Sequence, residues 1–241
     1  MPRESIEAKK ARARQIIAGL QATYPNAHCE LNFQSPLELL IATILSAQCT
    51  DKQVNVVTAR VFPKYRSAAD YANADLTELE KDLKAIGLFR NKSRNIRAAC
   101  QQLVEQHRGE VPRTMEALTQ LPGVGRKTAN VVLGNAFQMN VGVVVDTHVA
   151  RLSGRLGLTR QTRPDKIELD LQKLVPPSAW TDFSHWLIWH GRRRCFARNP
   201  DCEGCEVKSL CPSYPLLRRG NGAPVADARV RGGEKNEAVG S

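Results

Sequence analysis

Pro122, Gly123 and Gly125 fall within four positions of one another, and no regular helix or strand runs comfortably through such a segment. Around them the chain reads Leu121-Pro122-Gly123-Val124-Gly125-Arg126-Lys127-Thr128-Ala129. This is a tight turn that opens a helix and carries a lysine in that helix's first turn. Gly123 and Gly125 allow a backbone too tight for side chains, with amide N–H groups pointing outward. Amides at a helix N-terminus attract phosphate oxygens without reading bases. Leu121 and Val124 can anchor the turn between its two helices, and Arg126 adds a cation. An ordinary helix–turn–helix connection would use the same residue types, so this stretch by itself supports backbone binding and no chemistry.

The rest of the chain is punctuated by helix starts and stops. Residues 1–24 read as a basic helix with few apolar points, Ile6, Ile16, Ile17 and Leu20. Ser35-Pro36-Leu37-Glu38 is a capping box with proline at the first helical position. The helix it opens buries Leu37, Leu40, Ile41, Ile44 and Leu45 at 3.6-residue spacing and should stop near Gln48. Thr50 then caps another helix, which leaves Gln48 at a junction where its side chain can point out of the fold. Asp75 opens a helix that Gly87 is expected to close in the left-handed conformation. Leu88 and Phe89 follow in a short loop, where two large apolar residues are ordinarily core. A long helix over about residues 91–107 ends at Gly109, and Thr114 is the next cap.

Residues 141–145 are apolar and β-branched, too short and isolated for a sheet, and read as a buried extended link. Asp146 caps a helix that Gly157 closes. Pro164 and Ser178 begin two more, the second carrying Phe183, Trp186, Leu187 and Trp189 as a core stripe and ending at Gly191. About ten helices and no convincing strand give an all-α class. Residues 216–241 have almost no large apolar side chains and are expected to be a disordered tail.

With 241 residues the chain fits one large or two small domains. A net charge of +11 favours a polyanionic partner, nucleic acid first. No stretch approaches the roughly 18 apolar residues of a membrane span. The N-terminus has no apolar secretory segment, so a cytoplasmic protein is expected.

Two features raise the possibility of catalysis. Lys127 stands at a helix N-terminus beside Arg126. If partly buried there, its cationic form is disfavoured and its pKa falls, which is a route to an amine nucleophile. A phosphate-contacting lysine is the simpler alternative. Asp146 follows a buried run and precedes Thr147 and His148. It can be merely a helix cap. It can also stabilise developing oxocarbenium charge on a sugar while an amine attacks the anomeric carbon. A base in duplex DNA would first have to be flipped out.

Seven cysteines divide into two groups. Cys29, Cys49 and Cys100 are dispersed and read as small buried hydrophobes. Cys195, Cys202, Cys205 and Cys211, separated by six, two and five residues, imply a metal centre. Their spacing alone leaves structural zinc and a [4Fe–4S] cluster both open. Arg192, Arg193, Arg194 and Arg198 surround the site and could face phosphates.

Taken together, these motifs resemble those of the endonuclease III family, DNA glycosylases of the helix-hairpin-helix superfamily. The resemblance runs from about Ile6 to Tyr214 and rests on Leu45-Ser46-Ala47-Gln48, Gly87-Leu88-Phe89, the hairpin at residues 121–129, Val145-Asp146-Thr147-His148 and the four cysteines. It implies removal of an oxidised pyrimidine such as thymine glycol from double-stranded DNA. Lys127 would form a Schiff base at C1′, and β-elimination would cut the strand at the abasic site. Asp146 would be the catalytic carboxylate, and the four cysteines would ligate a [4Fe–4S] cluster. Gln48 and Leu88 look like wedges that fill the gap left by the flipped nucleotide. DNA contacts would come from Gln48, Leu88, Leu121, Gly123, Val124, Gly125, Arg126, His148 and Arg198.

The implied organisation is an N-terminal helix (residues 1–28) joining a cluster domain (142–215), a six-helix domain (29–141) carrying the hairpin, and the tail (216–241). The active site would lie in the cleft between the two domains of a monomer, cytoplasmic and associated with the nucleoid. Two departures stand out: the loop before Asp146 has glycine but no proline, and Asn199 and Asp201 leave Arg198 nearly alone as a cation in its loop. The rival readings are a mismatch adenine DNA glycosylase and a non-catalytic, metal-stapled DNA-binding module. The first typically lacks a lysine at this position, and the second would need neither Lys127 nor Asp146.

Overall fold

In a computed structural model that describes residues 4–217, every regular element is helical. The α-helices are α1 (Ile6–Thr23), α2 (Pro36–Ser46), α3 (Asp51–Val61), α4 (Ala68–Asn73), α5 (Leu76–Asp82), α6 (Phe89–His107), α7 (Met115–Thr119), α8 (Arg126–Ala136), α9 (Thr147–Arg155), α10 (Pro164–Gln172), α11 (Trp180–Arg193) and α12 (Tyr214–Leu217). The all-α class therefore holds among the described residues.

Local chemistry sets most of the helix starts. Side chains of Ser5, Ser35, Thr50, Ser67, Asp75, Thr114 and Asp146 each accept a hydrogen bond from a first-turn amide. Each such cap contributes roughly 1 kcal/mol. Ser67 and Asp70 form a complete reciprocal box. At Ser35 the box is displaced by one residue, because the Glu38 carboxylate accepts from the amide of Gln34 at 2.5 Å.

The buried side chains divide into two clusters. In the first, α2 is apolar on all sides and buried from Leu39 to Leu45. It packs with Val54 and Val57 of α3, Ile96 and Leu103 of α6, and Val132 and Leu133 of α8. In the second, Ala13, Ile16 and Leu20 of α1 join Val149 and Leu152 of α9, Ile167 and Leu171 of α10, and Phe183 and Leu187 of α11. Helix α1 thus belongs with elements more than a hundred residues later. Arg12 reinforces the arrangement by donating from Nη1 to the carbonyls of Leu156 (2.6 Å) and Leu210 (3.2 Å). Val143 and Val145 belong to the second cluster, and the connection from Val141 to Asp146 is the buried, non-helical link expected.

Four expectations change. Gly87 does not take the left-handed conformation. Helix α5 ends at Asp82, and the positive φ falls on Leu88, at 58°. Leu88 is also not core, being 60% exposed, whereas Phe89 packs against the first cluster. Gly191 does not end its helix, which continues to Arg193. Ser178 lies in a 3-10 turn, Pro177–Ala179, and the α-helix starts at Trp180. Residues 1–3 of the N-terminal helix expectation and 218–241 of the tail expectation lie outside the described residues, while Leu216 and Leu217 fall in α12.

Candidate functional site

Helices α7 and α8 form the hairpin, and the two buried side chains of its turn, Leu121 and Val124, hold it to the first cluster. Gly123 has φ +77°, and a Cβ there would stand 3.0 Å from Asn95, so this position requires glycine twice over. Gly125 is different. It has φ −95° and caps α8, and a Cβ there would meet nothing within 4 Å. The expectation that both glycines relieve crowding holds only for Gly123. The space over Gly125 opens outward, above the unpaired first-turn amides of α8.

Lys127 is the second residue of α8 and is exposed. The partial burial expected there is absent. Lys127 makes no hydrogen bond or ion pair among the described residues. Arg126, by contrast, is paired. Its Nε and Nη2 donate to the two carboxylate oxygens of Glu168 in α10, at 2.8 and 3.0 Å. Asn130, one turn along α8, donates to the same Glu168 from Nδ2 at 3.0 Å. Glu168 is buried, and its bidentate pairing makes Arg126 a strut between α8 and α10 while leaving its side chain half exposed.

The link to Asp146 passes this strut. A Cβ on Gly142 would overlap Glu168 Oε1 and lie 2.8 Å from Asn130, so any larger residue would have to displace the side chains that hold α8 to α10. Two residues on, the amide of Val144 donates to Ser184 Oγ of α11 at 3.0 Å. Asp146 then caps α9, with Oδ1 accepting from the Val149 amide at 2.8 Å. Its other oxygen takes no hydrogen bond from a described residue. The first turn of α8 and the segment that delivers Asp146 are therefore packed on each other through Gly142, Asn130 and Glu168.

His148 sits in the first turn of α9, half-buried against α11, and accepts from Arg151 Nη2 at Nδ1 (3.2 Å). Burial holds its imidazole below the ordinary histidine value, against the opposing charge of Asp146. Gly191 makes this fit possible, since a Cβ there would lie 2.8 Å from His148 Nδ1.

On the first cluster, Gln48 and Leu88 are both exposed and both left-handed, with φ 55° and 58°. Such a conformation costs a residue with a side chain roughly 1 kcal/mol or more. The two turns touch: a Cβ on Gly87 would be 3.9 Å from the carbonyl oxygen of Gln48.

The four clustered cysteines line one cavity with Leu152, Leu156 and Val207. Arg155 donates to Cys195 Sγ at 3.2 Å, and His190 Nε2 lies 3.5 Å from Cys205 Sγ. Burial pushes the Cys205 thiol up to about 11, with the backbone of Val207 opposing and Cys195 and Cys211 adding to the rise. Only a bound cation would make several thiolates there favourable. The sole set of three metal-ligating groups within 4.8 Å of one another among the described residues is His190, Cys205 and Glu206, so no three of the four sulfurs are that close. A single zinc tetrahedron would hold its sulfurs about 3.8 Å apart.

The arginines named around this site are mostly paired with carboxylates. Arg192 pairs with Glu30 and with Asp51 (2.8 Å), Arg193 with Glu30 (3.1 Å) while covering the Trp189 ring, and Arg194 with Asp201 and Glu206. Arg198 is exposed, with no ion pair among the described residues. Sequence reasoning missed Glu168, Asn130, Arg155 and Lys92. An acidic residue beside Ile167 on the apolar face of α10 was the available signal for the first.

Residues 41–177 match the family model described as the HhH-GPD superfamily of base excision DNA repair proteins. The chain is 53% identical to "Endonuclease III" of Synechocystis sp. over 208 residues, covering 86% of this chain and 95% of that protein. Among solved structures, a non-covalent endonuclease III–DNA complex superposes with a TM-score of 0.83 at 45% identity, covering 87% of this chain and 98% of the other. A trapped endonuclease III–DNA covalent intermediate superposes equally well, at the same identity and covering 87% of this chain and 99% of the other. No helix among the described residues is long and apolar enough to cross a membrane.

Proposed function

The chain belongs to the endonuclease III family of HhH-GPD base excision DNA repair proteins, and from that premise we propose how its residues divide the work. The enzyme is a bifunctional DNA glycosylase and AP lyase acting on oxidised pyrimidines in duplex DNA. Gly123, Gly125 and the first-turn amides of α8 grip phosphate. Gln48 and Leu88 enter the stack where the damaged nucleotide leaves it. His148 and Arg198 add contacts to the strand, and Leu121 and Val124 support the turn.

Lys127, as the free amine, attacks C1′ of the deoxyribose while Asp146 stabilises the positive charge that develops on the sugar. The base departs with the glycosidic electron pair and is protonated. The C1′–O4′ bond then opens, O4′ leaving as a hydroxyl as the lysine nitrogen gives up a proton, and the Schiff base that forms makes the C2′ proton acidic. Its loss expels the 3′ phosphate by β-elimination, and water then releases Lys127. The observation that carries this reading is the contrast between neighbours: Arg126 is locked to Glu168, whereas Lys127 is exposed and unpaired at the helix N-terminus beside the hairpin.

Cys195, Cys202, Cys205 and Cys211 are assigned to a [4Fe–4S] cluster, whose chemistry when bound is to cross-link the C-terminal segment. Sulfur spacing too wide for one zinc ion and the Arg155 donor to Cys195 support that assignment. The two buried clusters motivate a six-helix domain over residues 29–141 and a cluster domain over 142–215 joined by the N-terminal helix of 1–28. The protein acts as a monomer in the cytoplasm, on the nucleoid.

Borohydride in the presence of abasic-site DNA tests the central step. Covalent trapping is expected, with loss in Lys127→Ala. Persistent trapping in that variant removes Lys127 from its role. Asp146→Asn should keep DNA binding and lose most base release, and unchanged release would leave Asp146 a helix cap.

A further inference from the structure

Lys92 lies in the first turns of α6 and is only 4% exposed, with no ion pair among the described residues. Its Nζ donates to the carbonyl oxygens of Leu45 at 2.9 Å and Ala47 at 2.6 Å. These are among the carbonyls that the end of α2 leaves without helical partners. Burying an ammonium on neutral carbonyls is costly, and burial holds it below the ordinary lysine value. An apolar side chain of similar length would fill the site without that cost. The lysine must therefore do something its stem alone does not.

What it does is visible at both ends. Ala47 immediately precedes Gln48, which has φ 55°. The Lys92 amide donates to the carbonyl of Leu88, which has φ 58°, at 3.1 Å. One residue thus holds the residue before the first strained position with its side chain and the second strained position with its backbone. Gln53 Nε2 in the first turn of α3, donating to Ala85 at 3.4 Å, ties that helix to the turn leading to Leu88.

We propose that Lys92 is a positioning residue that fixes Gln48 and Leu88 relative to each other, so that both side chains enter the DNA stack as one preformed wedge. This rests on the wedge role assigned to that pair above. Lys92 touches neither substrate nor the reacting atoms. It supplies preorganisation: without its two hydrogen bonds the turn at Ala47 and Gln48 relaxes toward unstrained conformations, and the wedge must be reassembled at each encounter.

The test uses the full chain and two substrates. One is a duplex with thymine glycol, scored for base release with enzyme in excess. The other is a single-stranded oligonucleotide with an abasic site, scored for strand cutting, which needs no base to be flipped. Lys92→Met should lower duplex base release about tenfold, the worth of one charge-assisted hydrogen bond. Single-strand cutting should stay within about twofold. Lys92→Gln, which keeps a donor, should fall between Met and the parent. In a Gln48→Ala/Leu88→Ala background, Lys92→Met should cause no further loss, because its effect acts through those residues.

Equal loss on both substrates in the Met and Gln variants, or full additivity in the double background, overturns the proposal. So does unchanged duplex release in Lys92→Met when the wedge variants are impaired. Unchanged release in the Gln48→Ala/Leu88→Ala variant overturns the wedge reading itself, and the role of Lys92 with it.

Discussion

Arg126 donates to both carboxylate oxygens of Glu168, at 2.8 and 3.0 Å, so the cation adjacent to Lys127 in sequence faces α10. Removing the arginine would leave a buried carboxylate supported only by Asn130. Arg126→Met should therefore destabilise the fold by about 2 kcal/mol, discounted because the guanidinium is half exposed. The midpoint of urea unfolding measures this. The salt dependence of DNA binding should keep its slope, whereas losing a true phosphate contact would reduce the slope by about 0.9. A clear drop in slope would return Arg126 to the DNA interface.

The two hairpin glycines should separate in the laboratory. Gly123→Ala strains a positive-φ position and crowds Asn95, and should cost about 1–2 kcal/mol of stability together with DNA binding. Gly125→Ala has neither problem. It should melt like the parent and bind duplex DNA about tenfold more weakly, because its methyl group occupies the approach to the helix amides. Thermal unfolding and a fluorescence-anisotropy titration of both variants distinguish the effects.

Gly191→Ala should push on His148 through a methyl group 2.8 Å from Nδ1. The strain is estimated at about 1–3 kcal/mol. Adding His148→Ala should recover much of the lost stability. If the double variant is no more stable than Gly191→Ala alone, the clash lies elsewhere, with Arg151 as the nearest candidate at 3.1 Å.

His185 sets a pH dependence. Burial depresses its pKa from 6.5 to about 4, and its Nε2 lies 2.7 Å from Asn135 Oδ1 in α8. The folded state therefore binds fewer protons than the unfolded chain between those values. Its contribution is complete above about pH 6.5 and is lost as the pH falls toward 4. The upper bound is about 3 kcal/mol. His185→Gln should flatten urea-unfolding stability over that window relative to the parent, with any acid loss common to both proteins cancelling in the difference. Parallel curves would show that another group carries the acid sensitivity.

Much of this molecule could be read in advance because its helix signals are local. Ser35, Thr50, Asp75, Thr114 and Asp146 cap the helices that their side chains suggested. The misreadings share a different cause. Glycine often stops a helix, and by that rule alone Gly87 and Gly191 read as stops. At Gly87 the left-handed step moved to Leu88, which no propensity scale favours. At Gly191 the absent side chain serves a neighbour from another helix. The partners of Arg126, Arg192 and Arg193 lie 42, 162 and 163 residues away for their Glu168 and Glu30 contacts. A positive charge in sequence cannot reveal whether a carboxylate will reach it through the fold. The sequence places Lys127 in the first turn of its helix, but its exposure depends on which face of α8 the fold buries, the face carrying Ala129 and Val132.

Helix α1 has a consequence for how the protein is made. Its buried face is completed by α9, α10 and α11, and Arg12 waits for the carbonyl of Leu210. During synthesis the cluster spanning Leu31 to Leu133 can close while later residues are still being added. Helix α1 cannot. It must remain undocked, with Ile16 and Leu20 uncovered, until α9, α10 and α11 have emerged. Its apolar face is therefore the segment of the nascent protein that most needs shielding, and slow translation past residue 133 would prolong that exposure.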